Sequence, residues 1–182
     1  MRIPPRMASY YTVGLDPSLC NMGYCVLGGE GKVVDKGTIK TKTTGLARLE
    51  LLCDLCSSIA SKWGVRTLYR EDYAFAKHSG SDTQLKELGG ALLYSLMLKG
   101  VATQYLPIST IKKFATGKGN APKAHMLKEV FRRFSVDAED EHQADAFAVA
   151  ALALEYSKPG TFKGLTKPQK DAALKCQPRA FT

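Results

Sequence analysis

VGLDPSLCNMGYCVL, residues 13–27, consists of two apolar runs either side of a Pro-Ser turn. The first run stops at Asp16 and the second begins six residues later, at Met22. This predicts strands over YYTVGLD (10–16) and MGYCVLG (22–28), paired through a tight connection. KVVDKGTIK (32–40) follows the Gly-rich turn GGEGK and completes an antiparallel meander. Acids are disfavoured in strands and costly near a core, so Asp16 at a strand end needs a chemical reason.

Outward from this stretch, Leu46, Leu49, Leu52, Cys53, Cys56, Ile59 and Ala60 recur at helical spacing over 44–62. VRTLYRED (65–72) returns to strand character. A helix over 82–99 carries Leu85, Leu88, Leu92, Leu96 and Met97, and VATQYLP (101–107) is a strand ending in proline. Then come a short helix, the Gly-rich loop TGKGN, and a helix over 121–134 with Asn120 as its cap and Pro122 in its first turn. A last helix spans 140–156. Three strands followed by alternating helix and strand predict an α/β fold, its mixed central sheet flanked by helices. The expected organisation is an extension over 1–9, one domain over 10–156, and a basic tail over 157–182.

The chain has 182 residues, enough for one domain with a substantial core, and a net charge of +9 that suggests an anionic partner. From Ser157 to Thr182, six basic residues face one acid, Asp171, so this tail carries +5 of the total. Its Pro and Gly content predicts a mobile or late-docking segment, either a solvated tail or an arm that grips DNA. Five cysteines and no apolar leader predict reduced thiols and a cytoplasmic setting. An organellar origin stays open because the opening segment contains arginine. Cys53 and Cys56 form a C-x-x-C inside a helical pattern, with no second Cys/His pair at zinc spacing, and read as core thiols. The longest apolar run, ADAFAVAALAL, is too short to span a membrane.

The acids recur at element ends. VRTLYRED closes on Glu71 and Asp72, and the last helix opens DEHQADAFAVA, where Asp145 interrupts an Ala- and Val-rich face. His142 and Glu141 lie three and four residues before Asp145, on the same side of the helix. Acids from separate elements can converge only if something neutralises them. Two Mg²⁺ or Mn²⁺ ions, roughly 3.5 to 4 Å apart, would do so and would support in-line attack on a phosphodiester.

These pieces together resemble the RuvC family of Holliday-junction resolvases, within the RNase H-like superfamily. The resemblance is carried by GLDPSLCNMGYCV (14–26), Glu71 in YREDYAF, the basic loop IKKFATGKGNAPK (111–123) and HQADAFAVA (142–150), in family order over about the first 155 residues. It implies an RNase H-like fold and a homodimer that nicks opposing strands of a four-way junction, leaving 5′-phosphates. It also implies that Asp16, Glu71, His142 and Asp145 bind the catalytic metal. Many members carry aspartate where this chain has His142. Imidazole suits Mn²⁺ better than Mg²⁺, so Mn²⁺ is expected to support turnover at least as well. Alternatively His142 serves proton transfer or positioning while Glu141 helps hold metal, or it is a helix-start residue without chemistry.

Lys112 and Lys123 match the family's two basic positions in this region: Lys123 is expected near the scissile phosphate, and Lys112 on the flanking backbone. Lys113 and Lys118 are further DNA-binding candidates, and a solvated basic loop is the bland alternative. Tyr73 and Phe75 lie where the family stacks an aromatic on an opened base, and AKHSGSD (76–82) reads as a DNA-touching loop. The helix over 82–99 corresponds to the family's dimer seam. The competing functions are a nuclease for forks or flaps and a catalytically impaired nucleic-acid-binding module; an actin-like ATPase would need two copies of the fold. No membrane and no small-molecule cofactor is expected.

Overall fold

The computed structural model describes residues 10–72 and 80–180, with side chains described from 83 onward in the second stretch. Strands β1 (Tyr11–Asp16), β2 (Asn21–Gly28) and β3 (Val33–Lys40) form the expected meander, followed by α1 (Gly45–Lys62) and β4 (Thr67–Glu71). Next come α2 (Gly80–Leu98), β5 (Ala102–Leu106), α3 (Ile108–Thr116), α4 (Lys123–Phe134) and α5 (Glu141–Ser157). Helix α6 (Lys167–Leu174) and strand β6 (Arg179–Ala180) complete the described chain. The sheet order is β3-β2-β1-β4-β5-β6; β1, β4 and β5 run parallel and the remaining pairings are antiparallel.

Two cores lie on opposite faces of this mixed sheet. On one, Val13, Leu15, Met22, Val26 and Leu68 pack with Leu52, Cys53 and Cys56 of α1 and Leu88, Leu92 and Leu96 of α2. On the other, α5 is the hub: every residue from Ala146 to Leu154 is buried, among α3, α4, α6 and the sheet. An Ala-rich helix buried all round can lie close to strand backbone, which amphipathic α4 could not do. The C-x-x-C thiols sit in the α1 core, as expected, and all five cysteines are free.

Three details depart from the expectations. Pro122, not Asn120, occupies the N-cap of α4, and no side chain caps that helix. Helix α2 divides its apolar residues: Leu88, Leu92 and Leu96 are buried, whereas Tyr94, Met97 and Leu98 are exposed. Of the two expectations for the basic tail, docking is the one observed over 157–180. Leu165, Ala172, Ala173 and Cys176 enter the α5 core, so the packed unit continues past 156. These anchors fall at the spacing of one helical face, but three of the four are small and they stand among lysines, prolines and glycines, which hid them in the sequence. Among the described residues, no helix is long and apolar enough to cross a membrane.

Candidate active site

Strand alternation decides which acids meet. Val13 and Leu15 face the α1 side, so Gly14 and Asp16 face α5. In β4, Leu68 faces α1 and Tyr69 packs against the α5 core, which places Glu71 on the α5 side as well. Parallel pairing sets Leu15 opposite Arg70, so Asp16 and Glu71, each one residue further on, end neighbouring strands on one face.

Two glycines bring α5 down onto that face. A Cβ at Gly14 would lie 2.3 Å from the Ala146 carbonyl oxygen, and one at Gly23 would lie 2.1 Å from that of His142. Neither could be accommodated without moving the helix. Gly23 is the register partner of Asp16, so the close approach falls beside the acid. There the Nδ1–H of His142 donates to the Asp16 carboxylate across 2.8 Å. The helix start is held separately by β3. Asp140 caps α5, accepting from the Gln143 amide at 2.9 Å and from the Thr38 hydroxyl at 2.6 Å, while Lys36 donates to the buried Gln143 side chain at 2.9 Å. Asp145, one turn beyond His142, thereby joins Asp16 and Glu71.

Asp16 is buried, Glu71 and Asp145 are half-buried, and the three raise one another. Burial raises Asp16 to about 6, with Asp145 adding repulsion and His142 opposing it. Burial, then the charge of Asp16, raises Glu71 to about 7. Burial, then the charge of Glu71, raises Asp145 to about 6, with Glu141 adding to the effect. Lys123 opposes the shift at all three, and Lys112 opposes it at Glu71.

The basic loop is therefore brought to the acids through two of its four candidate lysines. Lys123 opens α4, whose first amides lack a side-chain cap, an arrangement suited to an anion. The loop is pinned by Thr116: its hydroxyl donates to the Lys112 carbonyl at 2.8 Å and accepts from the Lys118 amide at 3.1 Å, before Gly117 turns the chain at φ 84°. Lys113 is half-buried on α3, Lys118 is exposed on the loop, and neither is among the main influences on the acids. Tyr73, Phe75 and residues 76–79 of the expected loop lie outside the described residues, while 80–82, expected in that loop, instead open α2.

Carboxylate oxygens with one imidazole are the donor set of a hard to borderline divalent cation, and that chemistry fits. Among the described residues, however, no three His, Cys, Asp or Glu side chains already stand together as a metal-holding group. The spacing is looser than a finished coordination shell. Sequence reasoning missed Gly23, whose role emerges only from its register with Asp16. It also missed Arg70, buried in mid-strand against the Tyr105 ring, whose charge acts on Glu71.

A family model described as crossover junction endodeoxyribonuclease RuvC matches residues 12–153. RuvC of Neorickettsia sennetsu is 29% identical over 156 residues, covering 82% of this chain and 94% of that protein. RuvC of a Sulfurovum species is 30% identical over 153 residues, covering 80% and 96%. Among solved structures, Thermus thermophilus RuvC in complex with a Holliday junction substrate superposes with a TM-score of 0.68 at 18% identity. That match covers 84% of this chain and 98% of that one, a likeness of fold.

Proposed function

This chain belongs to the RuvC family of crossover junction endodeoxyribonucleases, and we propose that it resolves four-way DNA junctions by divalent-cation-dependent phosphodiester hydrolysis. The observation that carries this reading is the convergence of Asp16, Glu71 and Asp145 on the α5 face, beside Lys123, within the family-matched stretch.

Asp16, Glu71 and Asp145 supply the oxygen ligands for two Mg²⁺ or Mn²⁺ ions. When bound, the metal polarises the phosphate and activates the attacking water. His142 orients Asp16 through Nδ1, which leaves Nε2 to accept a metal or a proton. Lys123, with the uncapped start of α4, holds the scissile phosphate and offsets the charge that develops on it. Lys112 contacts the flanking backbone, and Lys113 and Lys118 extend the basic surface; binding is accordingly salt-dependent. One of Tyr73 and Phe75 is the candidate to stack on a base opened at the branch. The exposed Tyr94, Met97 and Leu98 of α2 support a homodimer that presents two sites to opposing strands. Five free thiols suit a reducing cytoplasm.

The test is cleavage of a labelled synthetic four-way junction against a linear duplex of matching sequence, in Mg²⁺, Mn²⁺ or EDTA. Paired nicks in the junction alone, supported by Mn²⁺ at least as well as by Mg²⁺ and lost in EDTA, are expected. Junction binding without cleavage in any metal would instead identify a binding module. Cleavage confined to forks or flaps would move the substrate to other branched DNA. Inert Mn²⁺ beside active Mg²⁺ would remove His142 from the ligand set.

A further inference from the structure

The family match ends at residue 153, yet the chain beyond it is firmly tied to the site. Buried Glu155 accepts the amides of Gly160 and Phe162 at 2.7 and 3.0 Å and turns the chain back after α5. Phe162 then packs among Phe114, Phe134 and Phe147. Gln169, 1% exposed, donates to the Phe114 carbonyl at 2.7 Å and accepts from Arg133 at 3.3 Å. Arg133 also donates to the carbonyl of Thr116, at the root of the basic loop.

This path delivers β6 to the sheet edge, where Arg179 pairs in register with Tyr105 of β5. From there its guanidinium reaches past β5 and forms an ion pair with the carboxylate of Asp72. Asp72 directly follows Glu71, and its own amide donates to Leu106 at 2.8 Å. Among the described residues, the end of β4 is thus held through its backbone by β5 and through a side chain by β6.

We propose that Arg179 is a positioning residue: by holding Asp72, it fixes the end of β4 and keeps Glu71 turned towards Asp16 and Asp145. This deepens the catalytic reading of Glu71 and rests on it. Guanidinium suits the task because its planar fork constrains a carboxylate in direction as well as distance. Arg179 is 62% exposed at its side chain, so stability alone gives little reason for the pair. Placement beside a catalytic carboxylate does give one, since small displacements there are costly to rate.

The test uses full-length Arg179→Ala, Asp72→Ala, the double variant and Arg179→Lys. Single-turnover junction cleavage, junction Kd and hydrogen exchange at the Asp72 amide are measured for each. Each alanine variant should lose roughly tenfold in cleavage rate at unchanged Kd. The double variant should be no slower than either single, and Arg179→Lys should recover part of the loss. Exchange at Asp72 should quicken in Arg179→Ala. Unchanged rate and exchange would overturn the proposal. A raised Kd at unchanged rate would also overturn it, making Arg179 a phosphate contact. If the wild-type protein cleaves no junction, the catalytic reading and the positioning role fall together, and exchange at Asp72 alone decides whether Arg179 clamps β4.

Discussion

Asp16 and Asp35 lie in one sheet and are charged against very different surroundings. Burial works to raise Asp35, but Lys62, Trp63 and Tyr24 all donate to it, and the net effect lowers it below the usual carboxylate range. Asp140 behaves alike, burial being outweighed by its bonds from Thr38 and the Gln143 amide. At Asp16, Glu71 and Asp145 the balance reverses: burial dominates, each acid raises another, and one imidazole with Lys123 and Lys112 does not compensate. The first kind of acid is finished by the fold. The second is left without a compensating partner among the described residues, and in the proposed reading a divalent cation would supply the missing charge.

The largest expected effect separates the two kinds by function. Asp16→Asn or Asp145→Asn should lower junction cleavage by about a thousandfold or more, since metal catalysis contributes several kcal/mol. Junction Kd should hold, because the basic surface is untouched. Asp35→Asn should leave cleavage within about twofold and cost roughly 1 kcal/mol of stability by urea unfolding, the scale of lost hydrogen bonds. Loss of junction binding in a folded Asp16→Asn protein would break the division.

Gly23→Ala tests the placement of the acids without altering any charge. Its Cβ would meet the His142 carbonyl at 2.1 Å, so α5 must lift away from Asp16. A loss of about a hundredfold in cleavage is expected, with Kd preserved. Thermal melting would establish that the variant is folded before its rate is read.

Lys123→Ala should reduce turnover by roughly tenfold and affinity less, because its charge faces all three acids. A pure affinity defect would reassign it to the outer DNA surface. Lys118→Ala, whose lysine stands exposed on the loop, should mainly flatten the salt dependence of binding.

Much of this was legible in the sequence because periodic signals are local. The three-strand meander, the acids at the strand ends Asp16 and Glu71, and the Ala-rich helix carrying Asp145 follow from residue order and spacing, whereas the pairing that sets Asp16 beside Glu71 joins strands about 55 residues apart and does not. Gly23 was not, because its role depends on which residue stands across from it and which helix lies above. Nor was docking of the C-terminal segment. Its contacts pair Phe162 with Phe114, Gln169 with the Phe114 carbonyl and Arg179 with Asp72, partners far apart in the chain that no local pattern links. Positive charge after 157 suggested a mobile or late-docking segment; its apolar anchors are few and mostly small, and they dock it against α5.

The smallest effect is thermodynamic and distinguishes the two kinds of acid by sign. Folding raises Asp16, Glu71 and Asp145 from 3.8, 4.5 and 3.8 to about 6, 7 and 6, so the folded protein binds more protons between about pH 4 and 7. Without metal, their contribution to stability must fall as pH rises through that window. Asp35, lowered by folding, contributes the opposite way: its stabilisation is present above 3.8 and is lost as pH falls through its lower folded value.

The most direct test of the central claim is the melting temperature of the DNA-free protein at pH 5 and pH 7.5, with EDTA or Mn²⁺, for wild type and Asp145→Asn. In EDTA at pH 7.5, Asp145→Asn should melt about 2 to 6 °C above wild type, and the gap should shrink at pH 5. Mn²⁺ should raise the wild-type melting temperature at pH 7.5 and affect the variant much less. An Asp145→Asn protein that melts below wild type in EDTA, with no response to Mn²⁺ in either, would make these acids structural and contradict the account.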